Sequence, residues 1–466
     1  MKDAAARPER VAVYLFAFAR TLLCGYRALT QSITVDEATT YLNYVREHWA
    51  NVWANYDPNN HVLYSILAQL SVRAFHASEF SLRLPSVLAG FFFVLGLHRV
   101  LAAAIESAVI RWIALVGISL APLMLDFAIA ARGYGLGLAL LIWAIYFSMS
   151  GRDLAAGILA GLSMAATFNL AFSAIGLIAF PLIRDKGNLA ARAIRSLVVL
   201  VSGSAVFLAI CFPILQQVKT AQLYVGEPSI RAALYNLVFL TIRAVPGHPG
   251  LFGTGPGARV IQYVFLPALT IFIAVVTIRS RRSLLPAFTL LLALAAIVAS
   301  HFLVGLNYPV DRLGLHLFVL LGLAWAIAVA NVSNRWIQAV NGVLAALLIV
   351  QFLSQFHTRY FTLWEFDSAT KQVALRLRDE TRGAAPDSVS VSASWFHTPA
   401  LEFYRRVWRI APLKPIERHE HTLLDGFDYY ALNLKEDDDL KATGIPADLT
   451  PIFSDEFSGA ILAKRR

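Results

Sequence analysis

Long apolar segments separated by short polar loops occupy most of the chain up to residue 356. Many of these segments are about 20 residues long, which is the length that an α-helix needs to cross the hydrocarbon core of a bilayer. Counting them predicts about eleven spans. The spans are expected near residues 11–29, 83–105, 108–125, 133–150, 154–169, 171–183, 196–215, 260–278, 284–304, 312–330 and 336–355. The pattern is typical of a polytopic α-helical membrane protein.

The apolar stretch Val62–Phe75 is shorter than these segments and contains Gln69, Ser71 and Arg73. We therefore predict that it lies flat in the membrane interface as a juxtamembrane helix. The alternative is that it crosses the membrane as one more span.

Basic residues in the loops predict the orientation, because Lys and Arg are enriched on the cytoplasmic side. The loops assigned to the cytoplasm contain Arg184, Lys186, Arg192 and Arg195, and Arg279, Arg281 and Arg282. If Val62–Phe75 lies in the interface, the N-terminus is cytoplasmic, and the loops at 30–82 and 216–259 are external. If that stretch crosses the membrane, the N-terminus is external and Asp36 faces the cytoplasm.

The composition changes after residue 356, where charges become frequent and apolar runs become short. We predict a membrane domain over residues 1–356 and an extracytoplasmic soluble α/β domain of roughly a hundred residues over 357–466. The patterns in the second domain predict a helix from Asp367 or Ser368 to Arg382, a helix over Thr398–Trp408, and strands at Ser388–Ser394, Asp428–Asn433 and Ile452–Ala463.

The overall composition agrees with the membrane class. Hydrophobic residues make up 58% of the 466 residues, charged residues make up 15%, and the mean hydropathy is +0.60. The formal net charge of +10 comes largely from short loops, where topology and lipid headgroups explain it, so no nucleic-acid partner is predicted. Cys24 and Cys211 fall in apolar segments and are predicted to be buried thiols rather than a disulfide or a metal site.

Asp36 and Glu37 form an adjacent acid pair after the first predicted span. Carboxylates near hydrocarbon are costly unless water, a cation or a substrate compensates for them. Asp36 could act as a general base toward a hydroxyl group, and the pair could hold a divalent cation, Mg²⁺ or Mn²⁺, through its oxygen atoms. The structural alternative is that Asp36 caps a helix whose first turn contains Glu37.

Two arginines are candidates for binding a phosphate group. Arg132 lies at the predicted outer mouth of a span, where its guanidinium could grip a phosphate or reach the lipid headgroups. Arg312 lies in another outer loop, where it could bind the same phosphate while Tyr308 stacks on a sugar or lipid. Asp311 and Arg312 could instead form a structural pair.

Two other segments have less specific chemistry. Glu79 and Arg83 enter a predicted span together and are predicted to form a structural pair. The segment Pro246–Gly257 is too rich in Gly and Pro for regular structure. It is predicted to be either a mobile lid over an active site or a flexible connector.

The order of four motifs resembles the GT-C membrane glycosyltransferases of the protein O-mannosyltransferase and lipid A aminoarabinose transferase type. The motifs are Asp36-Glu37, Asn59-Asn60-His61-Val62-Leu63-Tyr64, the segment Ser78–Ser86, and Ala131-Arg132-Gly133-Tyr134. The resemblance covers roughly residues 11–180, and the later spans agree with it only in layout.

The resemblance implies a GT-C fold that takes a sugar from a polyprenyl-phosphate donor. An acid in the first external loop is the catalytic base of that family, a role that falls on Asp36 here, with Glu37 as an orienting or metal-holding partner. The predicted substrate-binding residues are Asn60, His61, Tyr64, Arg132, Tyr134, Tyr308 and Arg312.

The chain also departs from the family pattern. Val62-Leu63 stands where many relatives have Pro-Pro, and Tyr134 stands where some have a second acid. Asp126 is a candidate replacement for that acid. These departures leave the requirement for a metal open.

The predicted function is inverting transfer of a sugar to a hydroxyl of a lipid, glycan or protein acceptor. The reaction is expected at the extracytoplasmic face of a membrane, with a bacterial inner membrane as the expected location. The rival hypothesis is a transporter or flippase of lipid-linked sugars, which would be expected to show internal repeats. The sequence shows no such repeat.

Overall fold

The computed structural model describes residues 7–54, 57–184, 188–217, 226–243, 255–279, 284–419 and 421–466. The chain forms two compact units. The first comprises Met1–Cys24, Trp53–Tyr64 and Pro85–Phe356, and the second comprises Gly25–Val52, Ser65–Leu84 and His357–Arg466. The second unit thus combines the C-terminal segment with two stretches from the beginning of the chain.

Helices account for most of the described structure. Those of the first half are α1 (Arg7–Thr30), α2 (Val35–Thr40), α3 (Asn51–Ala54), α4 (Val62–Phe75), α5 (Glu79–Ala104), α6 (Ala108–Ser119), α7 (Pro122–Asp126), α8 (Gly133–Met149), α9 (Asp153–Ala166), α10 (Ala171–Arg184) and α11 (Leu189–Leu215). Those of the second half are α12 (Ile230–Ile242), α13 (Gly255–Val260), α14 (Leu266–Arg279), α15 (Leu284–Val304), α16 (Leu315–Ala330), α17 (Arg335–Ser354), α18 (Thr370–Glu380), α19 (His397–Val407) and α20 (Asp438–Thr443). Turns of π-helix at Tyr41–Val45 and Ile261–Phe265 follow α2 and join α13 to α14, and 3₁₀ turns lie at Phe168–Leu170, Asp311–Gly314 and Glu365–Asp367.

Seven of the described helices are long and apolar enough to cross a membrane: α1, α5, α11, the continuous α13–α14 helix, α15, α16 with the turn before it, and α17. This confirms the prediction of a polytopic α-helical membrane protein. Other predicted spans correspond to apolar helices of 10–17 residues, including α6, α8, α9 and α10, so the number of spans stays a prediction. The stretch predicted to lie in the interface forms the separate helix α4.

Small residues bring α9 and α11 into backbone contact in the first unit. A Cβ atom added to Gly157 would lie 2.6 Å from the Val199 carbonyl oxygen, and one added to Gly161 would lie 2.3 Å from the Gly203 oxygen. Glycines spaced four residues apart allow this approach, which is a common way to pack helices inside a membrane.

The second unit contains a four-stranded sheet of β1 (Val391–Ala393), β2 (Tyr429–Asn433), β3 (Leu449–Asp455) and β4 (Ala460–Arg465). The spatial order is β1-β2-β4-β3, with β1 parallel to β2 and the other neighbours antiparallel. The stretch predicted as a strand over Ile452–Ala463 is a hairpin. Its turn forms because the Asp455 carboxylate accepts the Ser458 N–H and hydroxyl at 2.7 Å each, and because Gly459 adopts a positive φ of 76°.

The core of this unit explains why early residues belong to it. Apolar residues of β2 and β4, including Leu432 and Ile461, pack with Leu449 under the sheet. Helix α19 packs against α18 and against α2. Tyr41, which follows α2, meets Phe403 of α19 edge-to-face at 5.0 Å between ring centroids. The acid pair is therefore carried by a helix that packs on the C-terminal segment.

Candidate functional site

Helix α2 carries the acid pair, and its beginning is fixed by Thr34. The Thr34 hydroxyl accepts the Glu37 N–H at 3.3 Å, and the Glu37 carboxylate accepts the Thr34 N–H at 3.0 Å. This reciprocal pair is a capping box, so the cap is Thr34. The alternative prediction that Asp36 caps the helix is wrong, and Asp36 lies half-buried in the first turn.

Glu37 is fully buried and paired with Arg83. Both Glu37 oxygens accept from the guanidinium, at 2.9 Å from Nε and 2.6 Å from Nη2. The remaining Arg83 donors reach the carbonyl oxygens of Ala28, Gln31 and Ser32 at 2.7–3.1 Å. Arg83 therefore joins the end of α1 to α2. The predicted Glu79–Arg83 pair is replaced by this one.

The chain that leads into α2 is held by residues of the C-terminal segment. The Ile33 N–H donates to the Tyr404 hydroxyl at 2.9 Å, and that hydroxyl donates to Glu79 at 3.2 Å. Glu79 also forms an ion pair with Lys371, with 2.8 Å between nitrogen and oxygen. The Val35 N–H donates to the Asp367 carboxyl at 2.7 Å. The position of the acid pair thus depends on residues more than 300 positions later in the chain.

A polar pocket of about 170 Å³ lies in the first unit. It collects five of the predicted substrate-binding residues: Asn60, His61, Arg132, Tyr134 and Arg312. Asn59, Asn169 and Asp311 also line it, although none of them was predicted to bind a substrate. The adjacent Asn59-Asn60 pair in the second motif was the only available signal for Asn59.

Arg132 is buried at this pocket, only 1% exposed, immediately before α8. Its Nη1 donates to the Asn59 side-chain oxygen at 2.7 Å. Burial of this kind does not fit an arginine that reaches out to lipid headgroups. Gly133 makes the arrangement possible, because a Cβ at that position would lie 1.8 Å from the Ala166 carbonyl oxygen. The backbone at the end of α9 therefore closes against the start of α8.

His61 presents a hydrogen-bond acceptor to the pocket. Its Nδ1 lies 3.0 Å from the Ala166 carbonyl oxygen, which can only accept, so Nδ1 carries the proton and Nε2 has a lone pair. Among the residues that the structure describes, buried Nε2 has no hydrogen-bond partner. Burial lowers the pKa of His61 well below its usual range, and the positive charges of Arg132 and Arg312 lower it further. His61 is therefore neutral at physiological pH.

The remaining predicted binding residues lie outside the lining of this pocket. Tyr64 is buried in the first turn of α4. Tyr308 is buried with its ring stacked on His301 at 4.4 Å between centroids, and its backbone pairs with Glu227 in both directions. Asp126, the candidate second acid, is buried at the end of α7.

The described residues contain no cluster of three or more His, Cys, Asp or Glu side chains that could hold a metal ion. Glu37 in particular uses both carboxylate oxygens on Arg83. The residues around the acid pair do not fit a metal site built from three such ligands. Residues 246–254 of the segment predicted to be a lid or a connector lie outside the described residues, as do Lys186, Arg281 and Arg282 of the basic loops. The prediction that this segment lacks regular structure is wrong for its last three residues, which begin α13.

Comparison with known proteins gives structural matches only. No family model matches the chain, and no curated protein does. ArnT from Cupriavidus metallidurans bound to undecaprenyl phosphate matches with a TM-score of 0.57 and 13% identity, over 98% of this chain and 98% of that one. The apo state of ArnT from the same organism matches with a TM-score of 0.56 and 12% identity, over 96% and 97% of the two chains. At this identity the likeness concerns the fold, and it confirms that the chain has the GT-C fold.

Proposed function

We propose that this protein is a glycosyltransferase that transfers a sugar from a polyprenyl-phosphate donor to an acceptor hydroxyl. The observation that carries the proposal is the arrangement of two adjoining cavities in the first unit. The polar pocket of Arg132 and His61 shares Asp311 with an apolar cavity of about 1400 Å³. A ligand with a phosphate head and a hydrocarbon tail has the polarity of this pair of cavities.

The apolar cavity has the surroundings that a prenyl chain would need. Apolar side chains of α6, α12, α14, α15, α16 and α17 form most of its wall. A hydrocarbon chain in such a cavity removes apolar surface from water, and it has no polar atoms that need hydrogen-bond partners. The fold supports the same interpretation, because ArnT with this fold binds undecaprenyl phosphate.

In the proposed reaction Asp36 takes the proton from the acceptor hydroxyl as the oxygen attacks the anomeric carbon. The new bond forms between the acceptor oxygen and that carbon, and the bond from the carbon to the phosphate oxygen breaks with inversion. The electron pair stays on the departing phosphate. Arg132, with Arg312 near it, would stabilise the charge that develops there, and no proton is required from the protein.

Glu37 is assigned an orienting role in this proposal. Its carboxylate is committed to Arg83 and to the cap of α2, so it fixes the helix that presents Asp36. The proposed orientation has the N-terminus in the cytoplasm and the reaction at the extracytoplasmic face, which rests on the loop charges. A bacterial inner membrane and a lipid, glycan or protein acceptor are part of the same proposal.

The test is transfer by purified protein supplied with undecaprenyl-phosphate sugars that are radiolabelled in the sugar. We expect release of the sugar from the lipid by the unaltered chain and a fall of about 10²–10⁴-fold for Asp36→Asn. Asp379→Asn is the matched control, because Asp379 is an exposed acid on α18. Near-normal turnover by folded Asp36→Asn would overturn the role of Asp36. Transbilayer movement of the lipid without loss of the sugar would favour the flippase.

A further inference from the structure

Asn59 contacts one of the two arginines of the polar pocket, and the mechanism above gives it no role. Arg132 is buried, and its Nη1 donates to the Asn59 side-chain oxygen at 2.7 Å. A guanidinium can only donate hydrogen bonds, so this contact fixes the Asn59 amide with its oxygen toward Arg132. Because the donor is charged, the hydrogen bond is a strong one, and it restrains the direction in which the guanidinium points.

The backbone turn that presents Asn59 is itself restrained. The Asn59 N–H donates to the Asp57 carboxylate at 2.7 Å, and the Asn60 N–H donates to the Asp57 carbonyl oxygen at 2.8 Å. Pro58 stands at the second position of this turn, where its fixed φ favours the same conformation. The Asn59 side chain is therefore supported by hydrogen bonds within a short stretch of consecutive residues.

The Asn59 contact orients Arg132 without cancelling its charge. In the second unit, by comparison, Arg83 lies 2.6 Å from the Glu37 carboxylate, and the two charges offset each other. An amide oxygen accepts the same kind of hydrogen bond but brings no net charge, so this contact leaves the positive charge of Arg132 in place. Asparagine and aspartate are nearly equal in size and shape. The choice between them at position 59 is therefore mainly a choice of charge.

The charges around the pocket show what the amide preserves. Of the described residues that line it, Arg132 and Arg312 are positive and Asp311 is negative, which leaves a formal balance of +1. The lowered pKa of His61 keeps that ring neutral. The phosphodiester of a polyprenyl-phosphate sugar carries one negative charge, so it matches this balance. A carboxylate in place of the Asn59 amide would reduce the formal charge of the lining to zero.

We propose that Asn59 is a positioning residue of the donor site: its uncharged amide points the Arg132 guanidinium at the phosphate of the lipid-linked sugar and leaves the positive charge available to that phosphate. The inference rests on the proposed function, in which Arg132 binds the phosphate. Asn59 acts through Arg132 and takes no part in making or breaking bonds.

The experiment compares Asn59→Asp with the unaltered full-length protein in two assays, binding of undecaprenyl phosphate and transfer of the labelled sugar. Asp keeps an oxygen toward Arg132, so the unfolding midpoint is expected to be equal or higher. The added negative charge opposes the phosphate, so the Kd for undecaprenyl phosphate and the KM for the donor are each expected to rise at least about tenfold. A purely structural role predicts no such loss, because the hydrogen bond to Arg132 is kept.

Asn59→Leu separates orientation from charge. Leu has a similar size but no oxygen, so Arg132 keeps its charge and loses this hydrogen bond. We expect kcat to fall about tenfold and the Kd for undecaprenyl phosphate to rise less than in Asn59→Asp. Asn188→Asp is the matched control, because Asn188 is the exposed cap of α11 and Asp caps a helix equally well. It adds the same charge at the surface and should leave both assays unchanged.

Three results would overturn the inference. The first is a folded Asn59→Asp protein that binds undecaprenyl phosphate as tightly as the unaltered chain. The second is an equal loss of binding in Asn59→Asp and Asn59→Leu, since the charge at this position would then be irrelevant. The third is a large drop in the unfolding midpoint of Asn59→Asp, which would make Asn59 a structural residue.

Failure of the proposed function gives a different result. The unaltered chain would then bind undecaprenyl phosphate, and Asn59→Asp would weaken that binding, but no sugar would be transferred by either protein. An unaltered chain that does not bind undecaprenyl phosphate would contradict both the proposed function and the role of Asn59.

Discussion

The Glu37–Arg83 pair of the second unit and the polar pocket of the first are both buried, but their polar atoms differ in how far the protein itself supplies their hydrogen-bond partners. Glu37 and Arg83 satisfy each other, and the other Arg83 donors end on backbone carbonyls. In the pocket, His61 Nε2 is buried and has no hydrogen-bond partner within the described part of the chain. A buried polar atom without a partner costs about 1–3 kcal/mol.

This difference distinguishes polar groups that are paired within the protein and fix the backbone from polar groups whose partner would come from a bound ligand. Charges with internal partners fix the course of the backbone, and their loss should reduce stability. An acceptor left without a partner beside two arginines suits a molecule that brings its own donor groups, such as a sugar. Variants of the two regions should therefore fail in different assays.

Arg83→Met is expected to have the largest effect, because it leaves the Glu37 charge buried without its counterion. Breaking a buried ion pair in this way costs about 3–5 kcal/mol. Thermal unfolding in detergent should show a large drop in midpoint and a poor yield of folded protein. The double variant Arg83→Met/Glu37→Met should recover much of that stability. An unchanged midpoint for the single variant would show that the pair is not structural.

Arg132→Gln should give the opposite pattern, with folded protein that transfers sugar poorly. Losing one charged donor to a developing negative charge costs about 2.7–4 kcal/mol, or about 10²–10³-fold in rate. The measurement is the initial rate of transfer beside the unfolding midpoint. Arg152→Gln, an exposed arginine before α9, is the control. Equal loss of rate in both variants would contradict a specific role for Arg132.

His61→Asn tests the pocket through pH. The pKa of His61 is lower in the folded protein than its unfolded value of about 6.5, so the unfolded chain binds more protons as pH falls below that value. Stability is therefore lost on acidification, at up to about 1.4 kcal/mol for each unit of pH. Asn keeps a donor for Ala166 and removes the titration. The slope of the unfolding midpoint between pH 7 and 5 should flatten in His61→Asn and stay unchanged in His48→Asn; equal slopes in all three proteins would contradict a neutral, buried His61.

Thr34→Ala is expected to have the smallest effect, about 1 kcal/mol, through loss of the cap of α2. Thr39→Ala in the same helix removes only a hydroxyl that bonds to the Val35 carbonyl oxygen within the helix, and it is the matched control. Differential scanning fluorimetry can compare them. If Thr39→Ala destabilised the protein as much as Thr34→Ala, the capping box would not be the reason.

Local patterns predict the helices well because span length and apolar composition are properties of short segments. The capping box can also be predicted from the sequence, since Thr34 and Glu37 have the required spacing. The ion-pair partner of Glu37 could not be predicted from the sequence. Glu79 and Arg83 lie one helix turn apart, and this spacing favours pairing them with each other. In the folded protein Arg83 instead pairs with Glu37 of α2, and Glu79 forms an ion pair with Lys371.

Part of the candidate site was predictable from motif order, and part was not. His61 and Arg132 belong to separate motifs that the fold brings to one pocket. Asp367 could be recognised only as a helix start, because its contact with Val35 joins residues 332 positions apart. Tyr308 was predicted to bind from its loop position; its ring stacks on His301, a contact that the sequence does not indicate, and its binding role stays a prediction.

The hydrogen bond between the Ile33 N–H and the Tyr404 hydroxyl can form only late in the synthesis of the chain. These residues are 371 positions apart, so at about 5–20 residues per second the ribosome adds the second roughly 20–70 seconds after the first. During that interval the acid pair exists without Asp367 and Tyr404. A chain that is still being inserted would therefore lack the groups that hold the residues leading into α2, and this arrangement would be complete only when synthesis is nearly finished.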